Sequence, residues 1–112
     1  MDFTLSEDQR QILETVARVR KSVIAPNAMR WLDGAFPHDN MAALAEIGVL
    51  GMAVPEEYGG MGANVLDTVL VLEEIAKGCY VTAMAALGEV GVQTRIISTF
   101  APENLKRKWL PA

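Results

Sequence analysis

The chain has 112 residues, of which 51% are hydrophobic, and a formal net charge of -4 at pH 7. This length suffices for one small domain, residues 1–112, and the apolar content excludes intrinsic disorder. The charge distribution excludes a nucleic-acid partner, because no Lys or Arg occurs between Arg30 and Lys77 and that acidic stretch would repel phosphates. Since so small a domain needs less apolar surface for its own core, we expect self-association or contact with another domain.

The predicted elements begin with an amphipathic helix near the N-terminus. Ser6 and Gln9 are spaced as in a capping box. Apolar residues then recur with helical spacing as far as Pro26, which ends or kinks the helix: Ile12, Val16, Val19 and Val23. The pattern predicts one helix of about five turns.

A second helix is predicted over residues 39–47. Its spacing places Met41, Leu44 and Ala45 towards the core. Gly48 follows, at the position where a left-handed glycine commonly ends a helix.

A long loop follows and carries Pro-Glu-Glu-Tyr-Gly-Gly-Met-Gly at residues 55–62. Its glycines permit backbone shapes closed to other residues, and such a loop could cradle a phosphate. It lacks the spacing of phosphate-binding loops, however, and it contains two glutamates. The phosphate interpretation is therefore the weaker one.

A third helix is predicted over residues 65–77 and ends at Gly78. The pattern places Glu73 and Glu74 towards solvent. The expected apolar stripe consists of Val65, Val69, Leu72, Ile75 and Ala76.

A fourth helix is predicted over residues 80–100, although Gly88 and Gly91 lie inside it. Each glycine costs about 1 kcal/mol relative to alanine, so either a neighbouring helix backbone or a ligand approaches closely there. A short fifth helix is expected over residues 102–109. No strand-like alternation occurs, and the predicted fold class is all-α, an up-down bundle of four to five helices.

Motifs for catalysis or metal binding are absent from the sequence. The single cysteine, Cys79, predicts a reducing, cytoplasmic location and is interpreted as a small buried hydrophobe. A reactive pair with His38, the only histidine, remains an alternative. The adjacent glutamates at 56–57 and 73–74 do not form a general acid/base couple by spacing alone.

No signal peptide and no membrane span are expected. Met1 is followed by Asp2 rather than by a basic segment and an apolar run. The most apolar long stretch, residues 81–100, is interrupted by Glu89 and Arg95.

Several motifs, taken in order, resemble the N-terminal helical domain of the acyl-CoA dehydrogenases, and the resemblance covers nearly the whole chain. They are Leu-Ser-Glu-Asp-Gln at 5–9, Ile-Ala-Pro at 24–26, Phe-Pro at 36–37, Leu-Ala-Glu-Ile-Gly-Val-Leu-Gly at 44–51, the loop at 55–62, Glu-Glu-Ile-Ala at 73–76 and Lys-Arg-Lys-Trp-Leu-Pro at 106–111. The segment 101–106 departs from the family's Gly-Ser/Thr-x-Glu-Gln-Lys. A relative with an unusual acyl-CoA substrate, or without dehydrogenase activity, therefore remains open.

The resemblance implies a flavoprotein of fatty-acid metabolism that binds FAD and an acyl-CoA substrate. In that family a glutamate removes the α-proton of the acyl-CoA while the β-hydride moves to flavin N5. That glutamate usually lies in a C-terminal helical domain, and a middle β-domain makes most FAD contacts. We expect both domains to be absent from this chain and supplied by a longer protein or a partner subunit. No catalytic residue is assigned, and the chain alone should be inactive and bind FAD poorly.

The resemblance also implies that the fourth helix lines the acyl-chain pocket. Counting from its two ends gives registers one residue apart. The pocket face is then either Met84, Leu87 and Gly91, or Ala85, Gly88 and Val92. Each set follows one helical face and contains one glycine, which leaves room for a ligand.

The alternative function is a non-enzymatic helical module, either a split-gene subunit or an interaction domain that keeps the fold without the chemistry. The reading frame downstream of Ala112 would distinguish this module from part of an enzyme.

Overall fold

The computed structural model describes residues 1–111, which form six α-helices and no strand. The helices are α1 (Glu7–Val19), α2 (His38–Glu46), α3 (Val65–Ala76), α4 (Tyr80–Ala86), α5 (Thr94–Phe100) and α6 (Glu103–Trp109). A π-helical turn, Arg20–Ile24, extends α1, and a π-helical segment, Leu87–Gln93, joins α4 to α5. The fourth helix thus runs from Tyr80 to Phe100, as predicted. None of the helices in residues 1–111 is both long and apolar enough to cross a membrane.

The N-termini of α1 and α3 are capped in the same way and are bonded to each other. The Gln9 N–H donates to Ser6 Oγ (3.2 Å) and the Ser6 N–H donates to Gln9 Oε1 (2.9 Å), which confirms the predicted capping box. Asn64 and Asp67 form a second box on α3. Gln9 Nε2 also donates to Asp67 Oδ1 at 2.9 Å, so one side chain ties the two helix starts together.

The core lies between α1, α2, α3 and the fourth helix. Its fully buried side chains include Val16, Ile24, Leu44, Val49, Met52, Val71, Ile75, Ala86 and Val90. Buried polar groups are satisfied where α2 meets α4, because Asn40 Nδ2 donates to Thr82 Oγ1 at 3.0 Å.

The structure confirms most of the sequence prediction for α2. Met41 and Leu44 are buried, and Gly48 adopts φ +79° at the end of the helix. The prediction for Ala45 was wrong, because this residue is exposed. The buried Asn40 lies one turn before Leu44, so the inner face is centred on these two and turns Ala45 outwards.

Helix α3 presents a different face to the core from the one predicted. Val65, Val69 and Ala76 are exposed, whereas Glu74 is buried beside Ile75. Apolar residues occur on all sides of this helix, so their spacing does not select one face. Partners on α1 decide the orientation instead.

Glu74 is held by two cations. Its Oε1 accepts from Arg20 Nε at 3.0 Å, and its Oε2 accepts from Lys77 Nζ at 2.7 Å. The hydrogen bond from Lys77, with a further contribution from Arg20, lowers the pKa of the Glu74 carboxyl, against burial, which acts to raise it. The ion pair joins the π-helical end of α1 to the end of α3.

Replacing Glu74 with glutamine should lower the free energy of unfolding at pH 7 by about 2 kcal/mol, because Arg20 then stays largely buried without its anion. The native pKa of Glu74 lies below that of the unfolded chain, so its charge stabilises the fold above about pH 4. This contribution is lost as pH falls through the native pKa. Urea unfolding of both proteins between pH 7 and pH 3 should show the difference shrinking at low pH.

The exposed neighbour Glu73 offers a matched control, since Glu73→Gln removes the same charge without removing the ion pair. A difference between wild type and Glu74→Gln that stays constant down to pH 3 would show that the carboxylate charge is not the source of the stability.

Candidate functional site

The six predicted pocket residues lie on α4 and the π-helical segment. Met84, Leu87 and Val92 are 46%, 37% and 48% exposed, and Gly88 and Gly91 are half-buried beside them. Ala85 packs against the core instead. We call Met84, Leu87, Gly88, Gly91 and Val92 the open face. Five of the six predicted residues, drawn from both registers, are thus exposed or half-buried along this part of the fourth helix.

The two glycines do not mark helix packing within residues 1–111. A Cβ built on Gly88 would meet no atom within 4 Å, and one built on Gly91 would meet only the Leu87 side chain, with Cδ1 at 2.8 Å. The neighbouring-helix explanation therefore fails for this part of the chain. Space remains over the helix backbone at Gly88, whereas the Leu87 side chain covers the backbone at Gly91.

The sequence prediction missed that both glycines lie in a π-helical segment. Leu87–Gln93 has the wider π-helical hydrogen-bonding pattern, and Thr94 Oγ1 donates to the Glu89 carbonyl at 2.8 Å near its end. Such segments within α-helices frequently occur at functional sites. The paired glycines were the available sequence signal, since they weaken regular α-helix.

The glycine-rich loop uses its amides internally. The Gly60 N–H donates to the Pro55 carbonyl at 3.3 Å, and the Gly62 N–H donates to the Val54 carbonyl at 2.9 Å. A phosphate cradle needs several free N–H groups pointing to one centre. The geometry therefore does not support the phosphate interpretation.

Tyr58 connects this loop to α6. The buried Tyr58 hydroxyl donates to the Glu103 carboxylate, at 2.8 Å from Oε2 and 3.0 Å from Oε1. The hydrogen bond to Glu103 raises the pKa of Tyr58. Sequence reasoning did not find this pair, since its members are 45 residues apart.

A cavity of about 530 Å³ lies between the glycine-rich loop and the fourth helix. Glu89 and Gln93 line it from the π-helical segment, and Trp109 and Leu110 line it from the end of α6. The rest of its wall is mainly backbone and apolar side chains.

The remaining candidate groups form no reactive centre. Cys79 is buried in the core, as predicted, whereas His38 is exposed and stacks at a tilt against Phe36. Within residues 1–111, no group of three His, Cys, Asp or Glu side chains could hold a metal ion.

Comparisons with known proteins show which family the chain resembles. The chain matches the family described as acyl-CoA dehydrogenase, N-terminal domain, over residues 6–112. It is 32% identical over 112 residues to the probable acyl-CoA dehydrogenase YngJ of Bacillus subtilis, covering 98% of this chain and 29% of that protein. It is 38% identical over 95 residues to a 3-sulfinopropanoyl-CoA desulfinase of Paraburkholderia xenovorans, covering 84% of this chain and 23% of that protein.

A solved structure shows the same fold. Butyryl-CoA dehydrogenase from Megasphaera elsdenii matches with a TM-score of 0.87 and 28% identity, covering 99% of this chain and 30% of that one. The chain thus spans less than a third of the length of these relatives. The match over residues 6–112 and the identity to YngJ show that the chain belongs to the acyl-CoA dehydrogenase family, as its N-terminal domain.

Proposed function

We propose that this domain forms one wall of the acyl-CoA and FAD cleft of an acyl-CoA dehydrogenase-like flavoprotein, which catalyses α,β-dehydrogenation of acyl-CoA thioesters. The open face is the observation that carries the proposal. It is apolar, uncharged and accessible, and two of its five positions have no side chain. In this arrangement the acyl chain lies across Gly88 and Gly91.

The chemistry of the open face suits a hydrocarbon ligand. Covering an apolar side chain such as Met84, Leu87 or Val92 removes its surface from water and stabilises the complex by about 25 cal/mol per Å². The glycines let the chain approach the helix backbone more closely than any other residue would allow. A surface of this kind binds and orients the acyl group but moves no proton.

FAD is a property of the family rather than of these residues. The amides of Gly60 and Gly62 are bonded within the loop, so this loop does not supply a pyrophosphate cradle. These two amides are therefore not available to bind a flavin phosphate. In the proposed enzyme, other domains hold the flavin and supply the base.

Two other functions can be distinguished from this one by their products. A relative named 3-sulfinopropanoyl-CoA desulfinase is 38% identical to this chain, so the domain also suits a protein that acts on an acyl-CoA without dehydrogenating it. A non-enzymatic helical module is the second. Dehydrogenation removes two hydrogen atoms from the acyl group. Desulfination breaks the C–S bond of a sulfinoacyl group with water, which leaves hydrogen on carbon and releases sulfite, and a module catalyses neither reaction.

The test uses a full-length protein that carries this domain, mixed without oxygen with a panel of acyl-CoA thioesters. We expect the flavin absorbance to bleach and mass spectrometry to show an enoyl-CoA two hydrogen atoms lighter than the substrate. The 112-residue chain mixed with FAD and the same panel should show neither change. Flavin reduction by that chain would contradict the assignment of the flavin and the base to other domains. Sulfite release from 3-sulfinopropanoyl-CoA, included in the panel, without an enoyl product would favour the desulfinase function.

We also propose that the 112-residue chain associates with itself. Its proposed location is the cytoplasm. Large apolar side chains are exposed on α3 and along the fourth helix: Val65, Leu66, Val69, Met84, Val92, Ile96 and Phe100. Clusters of this kind commonly mark interfaces. Light scattering should detect oligomers, and a hydrophobic dye should bind. A strict monomer that binds no dye would rule out this proposal.

A further inference from the structure

Helix α6 is weakly attached to the rest of the domain. It has seven residues, Glu103–Trp109, and none of them is buried. Its N-cap residue, Pro102, makes no side-chain cap. Because an isolated helix this short does not persist in water, α6 depends on its contacts with other elements.

Besides its packing beside α5, two neighbouring contacts hold α6. The first is the hydrogen bond from the Tyr58 hydroxyl to Glu103, the first residue of the helix. The second is a small apolar cluster in which Leu110, directly after α6, packs with Val54 and Tyr58. This cluster is separate from the main core and adds only Ile97 at its edge. Tyr58 takes part in both contacts, and Val54 and Ile97 also pack in the second.

The backbone of the glycine-rich loop holds Tyr58 in position. Gly59 turns the chain with φ +89° directly after Tyr58. Gly60 lies so close to Val54 that a Cβ there would overlap the Val54 carbonyl oxygen. The loop consequently folds back on itself and holds Val54 and Tyr58 side by side.

We infer that the glycine-rich loop is a clasp for α6, and that releasing Tyr58 from Glu103 lets α6 open as a unit while the helical bundle stays folded. Trp109 and Leu110 form part of the wall of the 530 Å³ cavity. Opening of α6 therefore uncovers that cavity and the glycine-rich loop.

Hydrogen–deuterium exchange on the 112-residue chain tests the clasp. The amides of Leu105 and Lys106 donate to the Pro102 carbonyl and that of Leu110 donates to the Lys106 carbonyl, so they report on α6. Tyr58→Phe should speed their exchange at least about tenfold, because a hydrogen bond to a charged group is lost. Amides within α1 and α3 should exchange as in wild type.

Two further variants serve as a control and as a test of the apolar contact. Tyr80→Phe removes the hydroxyl of an exposed tyrosine and should leave α6 exchange unchanged. Leu110→Ala removes the apolar half of the clasp and should speed the same α6 amides. Unchanged α6 exchange in Tyr58→Phe, or acceleration in α1 and α3 equal to that in α6, would overturn the inference.

Discussion

Leucine in place of Gly88 or Gly91 should lower kcat/KM at least about tenfold for the longest good acyl-CoA substrate of a full-length protein that carries this domain. Leucine adds a four-carbon side chain over the open face, where the proposed pocket receives the far end of the acyl group. Short substrates should be spared. Since nothing lies within 4 Å of the Gly88 Cβ position, Gly88→Leu should fold normally, whereas Gly91→Leu must displace the Leu87 side chain.

A series of acyl-CoA chain lengths, measured beside the melting temperature, separates pocket from packing. Selective loss of long substrates at an unchanged melting temperature supports the pocket. Ala42→Leu, at an exposed position on α2, is the matched control and should change neither quantity. A uniform loss across all chain lengths for both glycine variants would refute the pocket assignment.

Alanine in place of Gly60 should destabilise the domain by about 3 kcal/mol, at the upper end of the cost of overpacking. The added Cβ would overlap the carbonyl oxygen of Val54, which is backbone and cannot rotate away. The loop must therefore shift, and Val54 and Tyr58 lose their position against Leu110. Thermal unfolding should show a melting temperature lower by more than about 10 °C.

Gly51→Ala controls for the general effect of adding a methyl group to a loop glycine. A Cβ at Gly51 meets nothing within 4 Å and its φ is not positive, so its melting temperature should stay close to that of wild type. Equal melting temperatures for Gly60→Ala and wild type would show that the loop adapts and that its glycines are not structurally required.

Local signals in the sequence were sufficient to predict the helices. The Ser6 capping box, the glycine after α2 and the extent of the fourth helix all depend on residues within a few positions of one another, and all are confirmed. The ordered motifs were likewise sufficient for the family. They did not select between the two pocket registers, because counting from the two ends of the helix gives positions one residue apart and each resulting set follows one helical face.

Long-range partners decided what the sequence left open. The core-facing side of α3 follows from the pairing of Glu74 with Arg20, which are 54 residues apart. The link between the two capped helix starts joins Gln9 to Asp67 across 58 residues, and the clasp joins Tyr58 to Glu103 across 45. Each of these side chains is polar, so the pattern of its own helix or loop predicts that it is exposed to solvent.

The sequence by itself therefore determined the all-α class, the helix boundaries and the family, because helix formation, capping and turns depend on near neighbours. Only the tertiary structure decided which faces are buried, that Gly88 has open space above it while Leu87 covers Gly91, and that the glycine-rich loop contacts the start of α6. The physical reason is that burial and ion pairing depend on distances between distant segments, which exist only once the helices have packed.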